Sequence, residues 1–253
     1  MSEIQVETGL NEMENKTAPT KQKNTKKVKK HDITVKANKK GRHIMKFMNF
    51  LRVLLIPIFW LLKPYRFFGN RKVKDGACVY VGNHYTLFDP FYPASTTWEG
   101  IHFVAKSQNF KVPILGWAIR RCKGIAANRD GNDVRAMLDC FKCLKNGEKI
   151  ALYPEGTRNK TDAEMLPFHH GAAVMAIKSK APIIPIMLYK KPRFFHMTHV
   201  LIGDPIELTE YYGRKLSEEE IVQADEKIRQ HMLNMRREHK AYLESKRKGK
   251  KRS

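Results

Sequence analysis

Acidic residues are scarce in this chain: 25 Asp and Glu stand against 48 Lys and Arg, a formal net charge of +23 over 253 residues. Such an excess suits a polyanionic partner, either nucleic acid or an anionic membrane surface. Cysteine is sparse too. Four thiols, Cys78, Cys122, Cys140 and Cys143, make no secreted disulfide framework in a chain of this length and fit a reducing, cytoplasmic setting. Cys140-x-x-Cys143 lacks a second pair to complete a zinc site; amid the helical spacing of Val134, Met137, Leu138, Phe141 and Leu144 it reads as packed thiols on a helix. The longest apolar run, Val53 to Leu62, is about half of what a membrane-spanning helix needs. There is no Gly-x-Ser-x-Gly elbow, which removes a serine-hydrolase signature, and there is no internal repeat.

What is present is unevenly placed. Between Lys16 and Lys74 some 18 basic residues face only Asp32, and from Arg236 to Arg252 nine face two. These two windows hold the whole excess, so the stretch between them is almost neutral, which argues against nucleic acid and for lipid headgroups at the ends. Residues 1–43, rich in Lys, Asn, Thr and Gln, bury too little to fold alone and are expected to be a disordered basic tail. Residues 44–69 combine the apolar run with Lys63, Tyr65, Arg66, Phe67 and Phe68, the mixture of an interface. They read as a helical membrane anchor, half-inserted or lying on the surface and broken near Pro57 or Pro64. A core helix is the competing reading of the same run. A cleaved signal peptide is not expected, because the run starts far from Met1 and no small-residue cleavage site follows. The domain proper is placed at 70–245 and a basic tail at 246–253.

With 42% hydrophobic residues the chain can build one α/β core. Strand-like runs recur at Ala77–Val81, Ile101–Ala105, Gly124–Ala127, Lys149–Tyr153, Ile183–Tyr189 and Thr198–Ile202. Helical patterns separate several of them, at Asn132–Asn146 with Gly147 as the C-cap and at Gly171–Ser179. This alternation predicts a largely parallel central sheet flanked by helices on both faces. A last helix is predicted from Ser217, with Glu220 completing a capping box and Ile221, Ala224, Ile228, Met232 and Met235 forming the buried stripe.

The chemistry concentrates beyond two strand ends. Asn83-His84-Tyr85-Thr86-Leu87-Phe88-Asp89-Pro90 sets a histidine five residues before an aspartate. On a helix that spacing is a rotation of about 140°, so the pair meets only if the backbone turns. Asp89 as N-cap and Pro90 as first helical residue supply a reason for the turn, and the carboxylate can then fix the imidazole tautomer. Further on come Gly124-Ile125-Ala126-Ala127-Asn128-Arg129, Pro154-Glu155-Gly156-Thr157-Arg158, and Ala181-Pro182-Ile183-Ile184-Pro185.

In this order the four blocks resemble those of the glycerolipid acyltransferase family, and within it the 1-acyl-sn-glycerol-3-phosphate (lysophosphatidate) acyltransferases, over roughly residues 77–190. The resemblance implies transfer of an acyl group from a thioester, acyl-CoA or acyl-carrier protein, to the sn-2 hydroxyl of lysophosphatidate at the cytoplasmic face of a membrane. It implies no cofactor and no metal. His84 is then the general base and Asp89 its orienter, with Arg129, Glu155, Gly156, Thr157 and Arg158 binding the phosphorylated acceptor. Glu155 would pair with a hydroxyl or an arginine, since phosphate repels it. Two departures stand out: Asn128 replaces the acidic residue that commonly precedes the arginine, and His169 and His170 stand where many relatives carry lysine or arginine. Acylation of glycerol 3-phosphate or another lysophospholipid is the alternative within the family. A catalytically silent membrane- or RNA-binding protein is the alternative outside it.

Overall fold

The computed structural model describes residues 39–70, 76–128, 133–169 and 171–250. Most of the expected basic tail therefore lies outside the described residues, as do Arg129 and His170. Seven strands form one sheet: β1 (Tyr65–Gly69), β2 (Cys78–Gly82), β3 (Ile101–Lys106), β4 (Ile125–Ala127), β5 (Lys149–Leu152), β6 (Ile183–Leu188) and β7 (Thr198–Ile202). Their order across the sheet is β1-β7-β6-β2-β5-β3-β4. Every neighbouring pair is parallel except β6 with β7. The middle strands, Cys78-Val79-Tyr80-Val81-Gly82 and Ile183-Ile184-Pro185-Ile186-Met187-Leu188, are buried at every position. Apolar side chains on both faces of a strand are what a doubly covered parallel sheet requires.

Each face has its own cover. Val79, Val81, Ile150, Leu152, Ile183 and Met187 pack beneath three helices, α4 (Val134–Lys145), α5 (Ala172–Ser179) and α6 (Glu218–Lys250). Tyr80, Ala151, Ile184, Ile186 and Leu188 pack against Met48 and Phe59 of α1 (Lys39–Leu62) and Tyr92 of the short α2 (Phe91–Ala94). A further helix, α3 (Pro113–Arg121), links β3 to β4 and carries proline in its first turn, where a missing N–H costs nothing.

Local signals decide the helix ends. Asp133 caps α4, its side chain accepting from the Ala136 N–H at 3.0 Å. Gly147 closes the helix at φ 77°, with the Glu148 N–H donating to the Cys143 carbonyl at 3.0 Å, the bond of a Schellman cap. On α6 the capping box forms as the sequence predicts: the Glu220 N–H donates to Ser217 Oγ, and the Ser217 N–H to Glu220 Oε2 at 3.0 Å. Ala224, Ile228 and Met232 are fully buried. The helix runs on to Lys250, past the boundary drawn at 245, because lysine and arginine are good helix formers and their charges stay in water.

The stretch 44–69 meets its sequence expectation only in part: of the two breaks expected, the one near Pro64 is present. The helix does not break at Pro57 but passes through it to Leu62 and ends just before Pro64, whose ring disfavours a helical residue ahead of it. Tyr65–Gly69 is not helical; it is strand β1, hydrogen-bonded along β7 in the register Tyr65↔Thr198 to Gly69↔Ile202. Aromatic residues and Arg66 suit an edge strand as well as they suit an interface. Helix α1 is two-sided. Met48, Arg52 and Phe59 are buried against the sheet, while Phe50, Val53, Leu54, Ile58, Trp60 and Leu61 are exposed.

Ile228 tests the packing of α6. Ile228→Ala is expected to lower unfolding free energy by about 2–5 kcal/mol, whereas Val222→Ala, at an exposed position of the same helix, should stay within about 0.5 kcal/mol. Denaturant melts of both variants check this, and equal losses would contradict it.

Candidate active site

The carboxyl ends of β2 and β5 lie side by side, Val81 opposite Leu152. Ligand sites of parallel sheets gather at such ends, and here both segments turn sharply and carry the motif residues. From β2 the chain continues through Asn83, whose side chain fixes the exit: its amide donates to the Leu188 carbonyl at 3.1 Å and accepts from the Leu188 N–H at 2.8 Å. The next residue is His84.

His84 and Asp89 meet, with Nδ1 of the ring 2.7 Å from Oδ2 of the carboxylate. Asp89 is buried and accepts three more hydrogen bonds, from the N–H groups of Tyr85 at 2.6 Å and Thr86 at 2.8 Å and from the Thr86 hydroxyl at 2.7 Å. The backbone turn is present, but its cause differs from the one expected. Helix α2 begins at Phe91 with Pro90 in the capping position and no side-chain cap. The Asp89 carboxylate reaches back to the N–H groups before it instead of forward to the helix. It therefore wraps the 84–89 turn around itself and holds the ring within that turn.

A second buried carboxylate holds the same residue by its backbone. Glu155 Oε1 accepts from the His84 N–H at 2.8 Å, and Oε2 accepts from the Leu166 N–H at 3.1 Å. Its expected partner, a hydroxyl or an arginine, is replaced by two backbone donors. The reason is location: Glu155 follows the buried end of β5 and is itself buried, so only the surrounding loops reach it. Burial pushes its carboxyl upward from the ordinary range, against the opposing pull of the two N–H groups and of His84. The loop is stitched further by the Asn159 N–H, which donates to the His84 carbonyl at 2.6 Å. Asn159 is buried and accepts at its side-chain oxygen from the N–H and hydroxyl of Thr161.

The His84 ring lies on Tyr153, centroids 4.5 Å apart and planes 23° apart. Gly82 permits that stack, since a Cβ there would sit 2.9 Å from the tyrosine ring. With Nδ1 committed to Asp89, Nε2 is the nitrogen left for chemistry. After Glu155 the chain turns outward: Gly156 takes φ 60°, and a Cβ on it would come within 2.8 Å of the His169 ring. Gly156, Thr157 and Arg158 are exposed. The N–H groups of Gly156 and Thr157 donate within the turn, to Tyr153 and Glu155 carbonyls, so an external anion there meets side chains, Arg158 foremost.

The structure thus brings together His84, Asp89 and Glu155, and leaves Gly156, Thr157 and Arg158 exposed in the turn that follows Glu155. Three contributors were given no role from sequence: Asn83, Tyr153 and Asn159. The Ala181–Pro185 block forms the start of β6, beside β2, and its buried isoleucines pack the core.

The family model described as Acyltransferase matches residues 65–189, which include β1 through β6 and the whole site. A chloroplastic 1-acyl-sn-glycerol-3-phosphate acyltransferase of Brassica napus is 35% identical over 123 residues, covering 47% of this chain and 35% of that protein. The 1-acyl-sn-glycerol-3-phosphate acyltransferase of Streptococcus pneumoniae is 26% identical over 185 residues, covering 69% of this chain and 67% of that one. The chain spans about a third of the length of the plant and algal relatives it matches. Among solved structures, the 1-acyl-sn-glycerophosphate acyltransferase PlsC of Thermotoga maritima superimposes with a TM-score of 0.55 at 24% identity, over 77% of this chain and 78% of that one, and shares its fold. With the ordered motifs folded into one site and the family model lying over them, this chain belongs to the glycerolipid acyltransferase superfamily.

Proposed function

We propose that the protein transfers an acyl group from a thioester, acyl-CoA or acyl-carrier protein, to the free sn-2 hydroxyl of lysophosphatidate, giving phosphatidate. The observation that carries this reading is the His84–Asp89 contact, which leaves Nε2 of a ring with its tautomer held. In the proposed reaction the acceptor hydroxyl gives its proton to Nε2 as its oxygen attacks the thioester carbon. The tetrahedral adduct collapses, the carbon–sulfur bond breaks, and the thiolate takes the proton back from His84. The new ester bond replaces the thioester, so no acyl-enzyme is needed. Asp89 stabilises the imidazolium formed between the two proton transfers.

The acceptor's phosphate is assigned to Arg158, whose planar guanidinium matches two phosphate oxygens and which stands exposed in the turn that follows Glu155. The relatives are named for this acceptor, which supports it over glycerol 3-phosphate. Glu155 holds the loop and has no place in phosphate binding. Arg129, outside the described residues, is retained as a second cationic contact.

The lipid substrates are proposed to arrive along an apolar surface that runs to the site. Leu87 and Phe88 in the His84–Asp89 turn are exposed, as are Phe194, Phe195 and Met197 nearby in the loop before β7. Phe59 on the buried side of α1 stacks on Phe91 at 4.7 Å and lies 6.1 Å from Phe88, and the Phe195 N–H donates to the carbonyl of exposed Leu62 at 2.8 Å, so the patch adjoins the C-terminal end of the helix. Lys63 Nζ sits 4.2 Å from the centre of the Phe194 ring. No described helix is long and apolar enough to cross a membrane. A large exposed apolar patch with basic residues near it marks an interaction surface, here proposed to be the cytoplasmic face of a membrane with its anionic phospholipids.

Three outcomes follow. His84→Ala should lower turnover by about 10²–10⁴-fold with the fold retained, and Asp89→Asn should lose a large part of the same factor. Near-normal turnover by a well-folded His84→Ala protein rejects the base.

Arg158→Ala and Glu155→Gln should fail in different ways. Removing the guanidinium should cut acceptor efficiency roughly 10- to 150-fold, spare donor KM, and leave a phosphate-free monoacylglycerol unaffected. The glutamine has one acceptor oxygen for two N–H donors, so it should lower stability by about 1–3 kcal/mol and reduce kcat more than it raises acceptor KM. Steady-state kinetics with each substrate varied separates them; matching defects would reject the division of labour.

Replacing Phe50, Leu54 and Leu61 together by Asn should remove the salt-resistant part of vesicle binding and leave a salt-sensitive part, because headgroup attraction is screened and apolar insertion is not. Flotation with anionic vesicles at low and high salt reads this. Unchanged salt-resistant binding would show that α1 is not the anchoring surface.

A further inference from the structure

Among the described residues, one group of metal-ligating side chains lies outside the candidate active site: His102 of β3, Cys143 in the last turn of α4, and Glu148 just before β5. Their ligand atoms all fall within 4.8 Å of one another, and His102 Nε2 stands 3.2 Å from Glu148 Oε2. The juxtaposition has a local origin. The Schellman cap at Gly147 lays Glu148 over Cys143 through the hydrogen bond from the Glu148 N–H to the Cys143 carbonyl. The register of β3 on β5, His102 opposite Ile150, then brings the imidazole to the same point.

The ring is also oriented. His102 is buried, and its Nδ1 lies 3.0 Å from the Lys123 carbonyl. An Nδ1–H donated there leaves Nε2 as the ligand atom, the arrangement that metal-binding histidines adopt. We propose that His102, Cys143 and Glu148 bind one zinc ion, with water in the fourth position. Ligands about 2.0–2.1 Å from a tetrahedral zinc lie about 3.3 Å apart, and a thiolate at about 2.3 Å lies about 3.5 Å from the others. The nitrogen–oxygen separation already matches, and a small side-chain adjustment brings in the sulfur. One imidazole, one thiolate and one carboxylate suit zinc and exclude magnesium or calcium as the preferred ion. Glu148 is the more exposed ligand, 35% accessible against 7% for His102, which gives an ion a way in. Lys123, whose charge also acts on Glu148, is the competitor for that carboxylate, and a proton between Nε2 and Oε2 is the alternative occupant.

The site lies toward the amino ends of β3 and β5, whereas His84 follows the carboxyl end of β2. An ion there would clip β3, α4 and the turn before β5 together and leave acyl transfer untouched. A ligand that binds only the folded state stabilises it by mass action.

The test is a cobalt titration of the full chain without a histidine tag, purified in detergent and stripped by a chelator, followed by displacement with zinc. One equivalent of cobalt should produce a sulfur-to-metal charge-transfer band that zinc removes. Zinc at a hundredfold excess over its dissociation constant should raise the melting midpoint by about 5–10 °C. Cys143→Ser should abolish the band, His102→Ala and Glu148→Gln should weaken binding about tenfold or more, and Cys122→Ser should change nothing. No band in the parent protein, or a band that survives Cys143→Ser, overturns the proposal. If Cys143→Ser does not fold, zinc should still slow alkylation of Cys143 in the parent chain, and equal rates with and without zinc overturn it too.

Discussion

Two buried carboxylates hold one histidine, and the rest of the site depends on that restraint. Asp89 fixes the imidazole through Nδ1, and Glu155 fixes the backbone N–H of the same residue. Neither carboxylate reaches solvent, so each needs donors around it, and the chain supplies them by folding its loops over the oxygens. Asp89 collects the turn from Tyr85 to Thr86, and Glu155 collects the separate loop at Leu166. Burying charge is costly. Here the cost is offset by donors that also fix the ring, so the loops and His84 are ordered by one set of bonds.

The sheet makes this possible. Parallel pairing of β2 with β5 sets Val81 beside Leu152, so two turns 71 residues apart in sequence leave the sheet at one point. Tyr153 then offers its ring to His84, and Gly82 leaves room for it. On that same face, where Tyr80 and Ala151 alternate with the other side's residues, α1 covers the sheet with Met48 and Phe59 while turning Phe50, Val53 and Leu54 outward. A core helix and a membrane-facing helix were competing readings of the same apolar run, and the geometry gives it one buried and one exposed side. An apolar surface near the proposed base fits the lipid substrates proposed for it.

The predicted strands and α6 were legible because their apolar periodicity and caps are local. Ser217 with Glu220, and Asn146 with Gly147, carry their own instructions. Strand β1 was not legible: Tyr65–Gly69 takes its structure from pairing with β7, more than a hundred residues later, and its aromatic and basic composition also describes an interface. In the site, the His84–Asp89 meeting was readable from the Asn83–Pro90 motif, although the reason given for the turn was wrong. The role of Glu155 was not readable, because its partners are backbone N–H groups, which every residue except proline possesses and no side-chain pattern can mark. Cys143 was read correctly as a helical thiol, yet its neighbour His102 comes from another strand, so their approach had no trace in sequence.

The tautomer of His84 is the most direct test of the account. If Asp89 fixes Nδ1 and leaves Nε2 as the proton acceptor, nitrogen NMR of the protein labelled in histidine should show the neutral His84 ring protonated at Nδ1, assigned by its loss in His84→Ala. In Asp89→Asn that population should move to the Nε2–H form. A parent protein whose neutral His84 ring already carries its proton on Nε2 would contradict the assignment of that nitrogen as the base.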